Sequence, residues 1–290
     1  MLLYSQSLMN IQEAIAALER FAPLPLQESY DNAGLQIGLT ESKCSGALLC
    51  LDVTEDVIAA AAERGCNLIV SHHPLLFRGL KRIGDEGYVE RCVRRAILNG
   101  ITIYSAHTNL DNAPGGVNFE IARRLGLEDV RVLAPLQLPP LGGGLEASAG
   151  ASSLASTGGE GTVAGSGVIG RLPSAVGAEE FLREVKRTFG VEALAYSCGP
   201  QTEVRTVALC GGAGDFLIDN AVRQGADVFL TGEIAYHHYF GYERSIWLAA
   251  LGHYESERYT IELMHRIIAE AGPELRLEDY SAPTSPVHYL

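Results

Sequence analysis

The chain has 290 residues, of which 47% are hydrophobic and 20% are charged, an ordinary composition for a soluble globular protein. This length buries a sizeable core, either as one large α/β domain or as two related lobes. The formal net charge of −13 argues against nucleic acid or an anionic membrane as the main partner, because both require a basic surface. It does not exclude a phosphorylated small molecule, since a bound metal ion supplies local positive charge.

The six cysteines form no CxxC pair and no zinc-ribbon spacing, so we interpret all of them as reduced thiols. The first residues, MLLYSQSLMN, lack the basic start and sustained apolar run of a signal peptide. No stretch approaches the roughly 18 apolar residues that a membrane helix needs. These features predict a soluble, cytoplasmic protein.

The first predicted structural unit lies at residues 46–74. An apolar run (Ala47 to Leu51) is followed by an Ala-rich helical stretch, a glycine and a second apolar run (Leu68 to Val70). This order predicts a βαβ unit with parallel strands.

Residues 134–167 are dominated by proline, glycine, serine and alanine and contain almost nothing to bury. Such a composition predicts a flexible insert. We therefore expect a first α/β lobe at residues 1–133 and a second at residues 168–290.

A copy of the βαβ pattern recurs at residues 206–234, at a constant offset of 160 positions, which favours a true duplication. The strands that follow also correspond, because GITIYSAHTNLD aligns with IWLAALGHYESE and both end in His-x-x-x-acid. The aligned positions are His107 with His253 and Asp111 with Glu257. Ligands of an open α/β sheet bind beyond the carboxyl ends of its strands, where all these polar residues fall.

His72 and His73 leave the tip of a predicted buried strand. Neighbouring side chains of an extended backbone point to opposite sides, so the two imidazoles suit two different metal ions better than one. The competing interpretation is a turn with one histidine exposed and the other packed under Pro74.

His253 and Glu257 stand four residues apart at the start of a predicted helix, where both side chains reach one ion. The alternative for this pair is a solvated first helical turn, in which Glu is favoured anyway. Asp111 lies in AHTNLDNAPGG, and its alternative role is to cap its own loop. Taken together, the five residues form a nitrogen/oxygen ligand set without thiolate, which suits zinc, manganese, iron, cobalt or nickel.

Other polar residues near these strand ends are weaker candidates. His107 fits a ligand or a hydrogen-bonded partner of one, because metal ligands need orienting groups. The basic residues Arg78, Lys81 and Arg82 form either a solvated face or a site for an anionic substrate. Four residues at the position equivalent to the His-His tip are expected to line the pocket: Thr231, Gly232, Glu233 and His237.

With these motifs assembled, the chain resembles the GTP cyclohydrolase I type 2 homologue family, also called the Nif-three-like dinuclear metal-binding proteins. The resemblance runs along nearly the whole chain outside the insert. It rests on YDNAGLQIG (30–38), IVSHHPLLF (69–77), SAHTNLDNAPGGVN (105–118), GRLP (170–173), GADVFLTGEIAYHH (225–238) and GHYESER (252–258). Tyr30 stands where many members have Trp, and only low-complexity sequence occupies the position where longer members carry a folded domain.

The resemblance implies two pseudo-repeated α/β lobes, a dinuclear metal centre between them and a homohexameric assembly. It implies the same ligands as the spacing argument, with Glu257 bridging two divalent ions and one histidine of the SHHP motif on each. The implied ligands are His72, His73, Asp111, His253 and Glu257.

Two functions are compatible with such a site. The first is a metal-dependent hydrolase resembling GTP cyclohydrolase, with purine nucleotides as possible substrates and with His107, Glu233 and His237 as candidate proton carriers. The second is a non-enzymatic role in metal storage or delivery, or as a metal-stabilised adaptor. Five ligands for two ions leave coordination positions for water, which favours the enzyme.

Overall fold

The computed structural model describes residues 9–136 and 163–290. The chain divides into two compact units, each built around its own sheet. The first unit comprises the residues up to Leu110 together with Tyr259–His288. The second comprises Asp111–Arg258 together with Tyr289–Leu290. The mixed α/β class with two sheets is thus confirmed.

The first unit alternates short strands with helices in chain order. Its elements are α1 (Ile11–Phe21), β1 (Gly34–Ile37), β2 (Ala47–Cys50), α2 (Glu55–Glu63), β3 (Leu68–Ser71), α3 (Tyr88–Leu98), β4 (Thr102–Ser105) and α4 (Thr108–Asn112), at whose end the chain enters the second unit.

The second unit contains longer antiparallel strands before its own parallel strands. Its elements are α5 (Val117–Arg124), β5 (Glu128–Pro135), β6 (Gly165–Gly177), α6 (Ala178–Phe189), β7 (Ala195–Ser197), β8 (Glu203–Cys210), α7 (Ile218–Arg223), β9 (Val228–Thr231), β10 (Trp247–Ala250) and α8 (His253–Glu257). The chain then returns to the first unit with α9 (Thr260–Ala271) and β11 (Leu277–Asp279).

The first sheet has the strand order β1-β4-β3-β2-β11, in which only β1 runs antiparallel to its neighbour. All four residues of β2, β3 and β4 are buried, as expected for parallel strands covered on both faces. Helices α2 and α3 cover one face with Val57, Ile58 and Val93, which belong to the same apolar core as Ile69 and Ile103.

The second sheet has the order β5-β6-β8-β9-β10-β7, with β8, β9 and β10 parallel and the flanking strands antiparallel. Its core includes Phe229, Leu248 and Ile169 together with Leu217 and Ile218 near α7. Each unit therefore contains three adjacent parallel strands in the same order.

The offset of 160 positions is retained in the strand register. Ala47 pairs with Leu68 in the first sheet, and Val207 pairs with Val228 in the second. The third strands, however, follow a different offset, because Ser71 pairs with Ser105 whereas Thr231 pairs with Ala250.

The alignment of His107 with His253 is therefore wrong by one residue. Ser105 and Ala250 are equivalent, because each pairs with the corresponding residue of the preceding strand; His107 therefore corresponds to Gly252 and Thr108 to His253. The two His-x-x-x-acid patterns occupy different positions of two five-residue helices, α4 and α8. One residue rotates a helical side chain by about 100°, so the two patterns are not structural equivalents.

The borders of the predicted insert differ from the observed ones. Ala134 and Pro135 belong to β5 and pair with Ser166 and Gly165 of β6. Backbone pairing, rather than side-chain burial, orders these small residues, and composition does not report it. Residues 137–162 of the predicted insert lie outside the described residues.

The compact units also differ from the predicted lobes at 1–133 and 168–290. Residues 111–136 belong with the second unit, and Tyr259–His288 belongs with the first. The physical reason for the second difference is β11, which pairs in parallel with β2, together with α9, which packs against α1.

All six cysteines are free thiols, and only Cys198 is exposed. Among the residues that the structure describes, no helix combines the length and the apolar character that crossing a membrane demands.

Candidate functional site

The histidine pair is fixed by backbone hydrogen bonds that extend the β2–β3 ladder beyond both strands. The N–H of His72 donates to the carbonyl of Cys50 at 3.2 Å, and that of His73 donates to the carbonyl of Leu51 at 2.9 Å. Both side chains therefore leave the sheet at its carboxyl edge from a rigid backbone, which is the position predicted for them.

The His72 ring is fully buried, and its Nδ1 lies 2.7 Å from the carbonyl oxygen of Ala106, the residue after β4. A carbonyl oxygen accepts only, so Nδ1 carries the proton and Nε2 is the nitrogen that can bind a metal ion. Ala106 is itself tied down, since its N–H donates to Ser71 at 2.9 Å.

The His73 ring is oriented in the same way by a carboxylate. Its Nδ1 donates to Asp52 Oδ1 at 2.7 Å, and the second oxygen of Asp52 accepts from the Thr284 hydroxyl at 2.5 Å. Burial raises the pKa of Asp52, but the hydrogen bonds and the charge of His73 outweigh burial and lower the pKa overall. Asp52 is thus held as an anion beside His73.

His107 is held by a second carboxylate, that of Asp31. Its Nδ1 donates to Asp31 Oδ1 at 2.7 Å, while the backbone N–H and the hydroxyl of Thr108 donate to Oδ2. Burial raises the pKa of Asp31, but the hydrogen bond and charge of His107 and the bonds from Thr108 lower it to about 2.

These three imidazoles lie together. Ring centroids are 4.9 Å apart for His72 and His73, 5.3 Å for His72 and His107, and 5.5 Å for His73 and His107. One ligand atom from each lies within 4.8 Å of the other two, a spacing that could hold a metal ion. From the sequence, His107 was a weaker candidate than His72 and His73, whereas the structure places all three in one group.

Asp31 and Asp52, which orient two of these rings, were not singled out in the sequence. Asp52 directly follows the residues of β2, so its place at a strand's carboxyl end was an available signal. Asp31 had no such signal, because it reaches His107 across 76 residues of chain.

In the second unit, His253 and Glu257 face each other across one turn of α8, with Nε2 3.1 Å from Glu257 Oε2. Glu257 is buried, and His253 Nδ1 donates to Glu233 Oε1 at 3.1 Å. Glu233, predicted as a proton carrier, thus has the same relation to His253 that Asp52 has to His73. The predicted i, i+4 geometry of His253 and Glu257 is present.

Two glycines after β8 make room for Glu257. Gly212 has a φ of +61°, and a Cβ at this position would collide with Glu257 Oε1. Its N–H donates to Ser256 Oγ at 3.0 Å, and its carbonyl accepts from the buried Thr231 hydroxyl at 2.9 Å. Thr231, predicted to line a pocket, instead anchors this loop.

Asp111 belongs to the same unit and offers a carboxylate oxygen within 4.8 Å of one from Glu257. Its backbone carbonyl accepts from Asn118 Nδ2 at 3.0 Å, and Asn118 Oδ1 accepts from the Gly211 N–H at 2.9 Å. The buried Asn118 side chain therefore ties Asp111 to the glycine loop beside Glu257.

Among the described residues of the second unit, His237 contacts neither His253 nor Glu257. It is exposed in the short 3₁₀ segment Tyr236–Tyr239, and its ring packs against Tyr236 and Phe240. Its neighbour His238 donates to Asp215 at 2.8 Å.

A family model described as Duf34/NIF3 (NGG1p interacting factor 3) matches residues 9–285. The chain belongs to this family. The predicted resemblance is confirmed, because proteins named GTP cyclohydrolase 1 type 2 homolog are among its relatives.

The relatives cover most of the chain. A GTP cyclohydrolase 1 type 2 homolog of Clostridium perfringens is 31% identical over 250 residues, which are 86% of this chain and 87% of that protein. The NIF3-like protein 1 of Drosophila melanogaster is 30% identical over 265 residues, which are 90% of this chain and 82% of that protein. A crystal structure of a Bacillus cereus protein related to NIF3 matches with a TM-score of 0.84 at 25% identity, covering 98% of this chain and all of the other.

Proposed function

We propose that this member of the DUF34/NIF3 family binds two divalent metal ions and is a hydrolase whose reaction depends on them. The proposed ligands are His72, His73, Asp111, His253 and Glu257. The observation that carries the proposal is the common arrangement of the imidazoles, each with Nδ1 donating to a fixed oxygen acceptor. Metal-binding histidines show this arrangement, because it fixes the tautomer and leaves Nε2 for the ion.

The donor set fits divalent transition metals. Neutral imidazole and carboxylate suit zinc, manganese, iron, cobalt and nickel, and Asp111 and Glu257 supply the negative charge that imidazoles lack. Paired ions, when bound, polarise an ester, amide or phosphoryl oxygen as Lewis acids.

Other residues of the chain orient the proposed ligands and carry the proton. Asp52 and Glu233 hold His73 and His253 in one tautomer, and Asn118 holds the backbone of Asp111. We propose His107 as the proton carrier, because Asp31 orients its ring and its ligand atom lies within 4.8 Å of those of His72 and His73.

The names of several relatives point to purine nucleotides as the first substrates to test. We also propose the homohexamer that the family resemblance implies and, since the thiols are free, a reducing cytoplasmic compartment. Light scattering of the purified protein tests the assembly, with a hexamer mass expected and a stable monomer contradicting it.

The test of the reaction is a hydrolysis screen of metal-loaded protein over nucleotides, nucleosides and small amides. Glu257→Gln serves as the blank, because it keeps the shape of the side chain and removes its charge. We expect turnover that requires both the metal and Glu257. Metal bound at two ions per chain without any turnover would instead favour storage, delivery or an adaptor role.

A further inference from the structure

A cavity of about 740 Å³ opens in the first unit beside His107, between the segment around Tyr30 and the segment that follows His73. This volume lies in the range of small-molecule sites. Its walls are tied to each other, since Asn32 Nδ2 donates to the Leu76 carbonyl at 2.8 Å and the Leu76 N–H donates to Gln36 Oε1 at 3.1 Å. The concavity is therefore built by specific hydrogen bonds.

Positive charge lines this cavity in a chain whose formal net charge is −13. Lys81 and Arg82 line it, and the segment FRGLKRIG at 77–84 contains no acidic residue. Within the described ranges, neither cation forms an ion pair with a carboxylate. Asp31 also lines the cavity, but both of its oxygens are engaged by His107 and Thr108. A local excess of positive charge in an acidic protein attracts an anion.

Aromatic rings form another part of the wall. Tyr30 is 63% exposed and Phe77 is 45% exposed, and their ring centroids lie 6.5 Å apart in an edge-to-face arrangement. Phe77 in turn lies 6.2 Å from the His107 ring. Exposed rings facing a cavity offer flat apolar surface to a planar ligand, and the contact with His107 links that surface to the three-histidine group.

We propose that this cavity binds a small aromatic anion, with the ring against Tyr30 and Phe77 and the phosphate or carboxylate group against Lys81 and Arg82. Orientation of its reactive end toward the histidines rests on the function proposed above. Binding itself does not, because every residue that carries it is distinct from the proposed metal ligands.

Isothermal titration calorimetry with 4-nitrophenyl phosphate tests the inference on the full chain after chelator treatment, so that no metal contributes. The test variant is Lys81→Gln with Arg82→Gln. The matched control, Lys186→Gln with Arg187→Gln, changes the net charge equally on an exposed face of α6, a helix that contributes no residue to the cavity. We expect affinity to fall about tenfold or more in the test variant, as removal of charge-assisted contacts predicts, and to stay within about twofold in the control.

A second variant, Phe77→Leu, tests the aromatic wall and should weaken 4-nitrophenyl phosphate but not inorganic phosphate. No binding by the unaltered protein, or equal binding by the test variant and its control, overturns the inference. Inorganic phosphate binding as tightly as the aryl phosphate overturns its aromatic part. Failure of the hydrolase proposal is distinguishable, because it leaves metal-free binding intact while metal-loaded turnover is absent.

Discussion

His73 in the first unit and His253 in the second are each oriented by a carboxylate, but the two hydrogen bonds differ in their exposure to solvent. In the first unit, His73 is oriented by Asp52, whose side chain is 34% exposed and is held in turn by Thr284. In the second unit, His253 is oriented by Glu233, whose side chain is 61% exposed. Solvent competes more effectively for the Glu233 bond, so the first unit holds its ring in place more rigidly.

A second contrast concerns charge. The proposed ligands of the first unit are the imidazoles of His72 and His73, whereas Asp111 and the buried Glu257 bring two carboxylates into the second unit. Both units thus contain a carboxylate that orients a histidine, but the proposed carboxylate ligands belong to the second unit alone. Variants of matched shape separate these two contributions.

The largest effect is expected from Glu257→Gln. A carboxylate shared by two cations allows them to sit roughly 3.5–4 Å apart, and its loss leaves Asp111 as the only anionic side chain of the proposed set. We expect loss of one metal ion or of both, measured as the metal-to-protein ratio by elemental analysis.

The control for Glu257→Gln is Glu255→Gln, two residues earlier on α8 and outside the proposed ligand set. It should retain full occupancy. Equal ratios near two ions per chain in both variants would show that Glu257 does not bridge the ions.

The next effect tests orientation. Asp52→Asn keeps the shape of the side chain that holds His73 and should lower metal affinity about 10–100-fold, as loss of an orienting partner does. Glu233→Gln makes the same change beside His253 and should cost only a few-fold, because that bond is more exposed. Competition with a chelator of known affinity measures both, and a larger loss for Glu233→Gln would reverse the comparison.

Sequence reasoning reached the strands and the proposed ligands for a definable reason. The apolar runs of β2, β3, β8 and β9 are continuous, and the polar residues directly after such runs can only lie at the carboxyl edge of a sheet. Local pattern carries that information.

The orienting partners required contacts that no local pattern encodes. Asp31 reaches His107 across 76 residues and Thr284 reaches Asp52 across 232. The one-residue error in aligning the third strands also arose from using local sequence alone. Matching residue types aligned His107 with His253, whereas the strand register depends on the length of the preceding connection.

The glycine loop of the second unit offers a stability test of the Glu257 position. Gly212→Ala should cost about 3 kcal/mol, because it adds overpacking against Glu257 to the strain of a positive φ. Gly225→Ala is the matched control, since its φ of +72° is similar but nothing lies within 4 Å of the added Cβ. It should cost only about 1 kcal/mol. Urea unfolding compares the two, and equal losses would mean that Gly212 serves its backbone conformation alone.

The smallest expected effect is the pH dependence that Asp31 gives to the free energy of unfolding. The pKa of Asp31 is lowered from 3.8 to about 2, so the folded state binds its proton less readily than the unfolded state does. The resulting stabilisation is complete above the unfolded value and is lost as pH falls from about 4 to about 2. In metal-free protein, Asp31→Asn should therefore be less stable than the unaltered chain at pH 6, and the gap should narrow across that window. Asp85→Asn is the control, because that side chain is 75% exposed and its removal should leave no such narrowing. Urea midpoints measured from pH 6 to pH 2 decide it, since a gap that stays constant down to pH 2 would show that Asp31 is not held as an anion by His107 and Thr108.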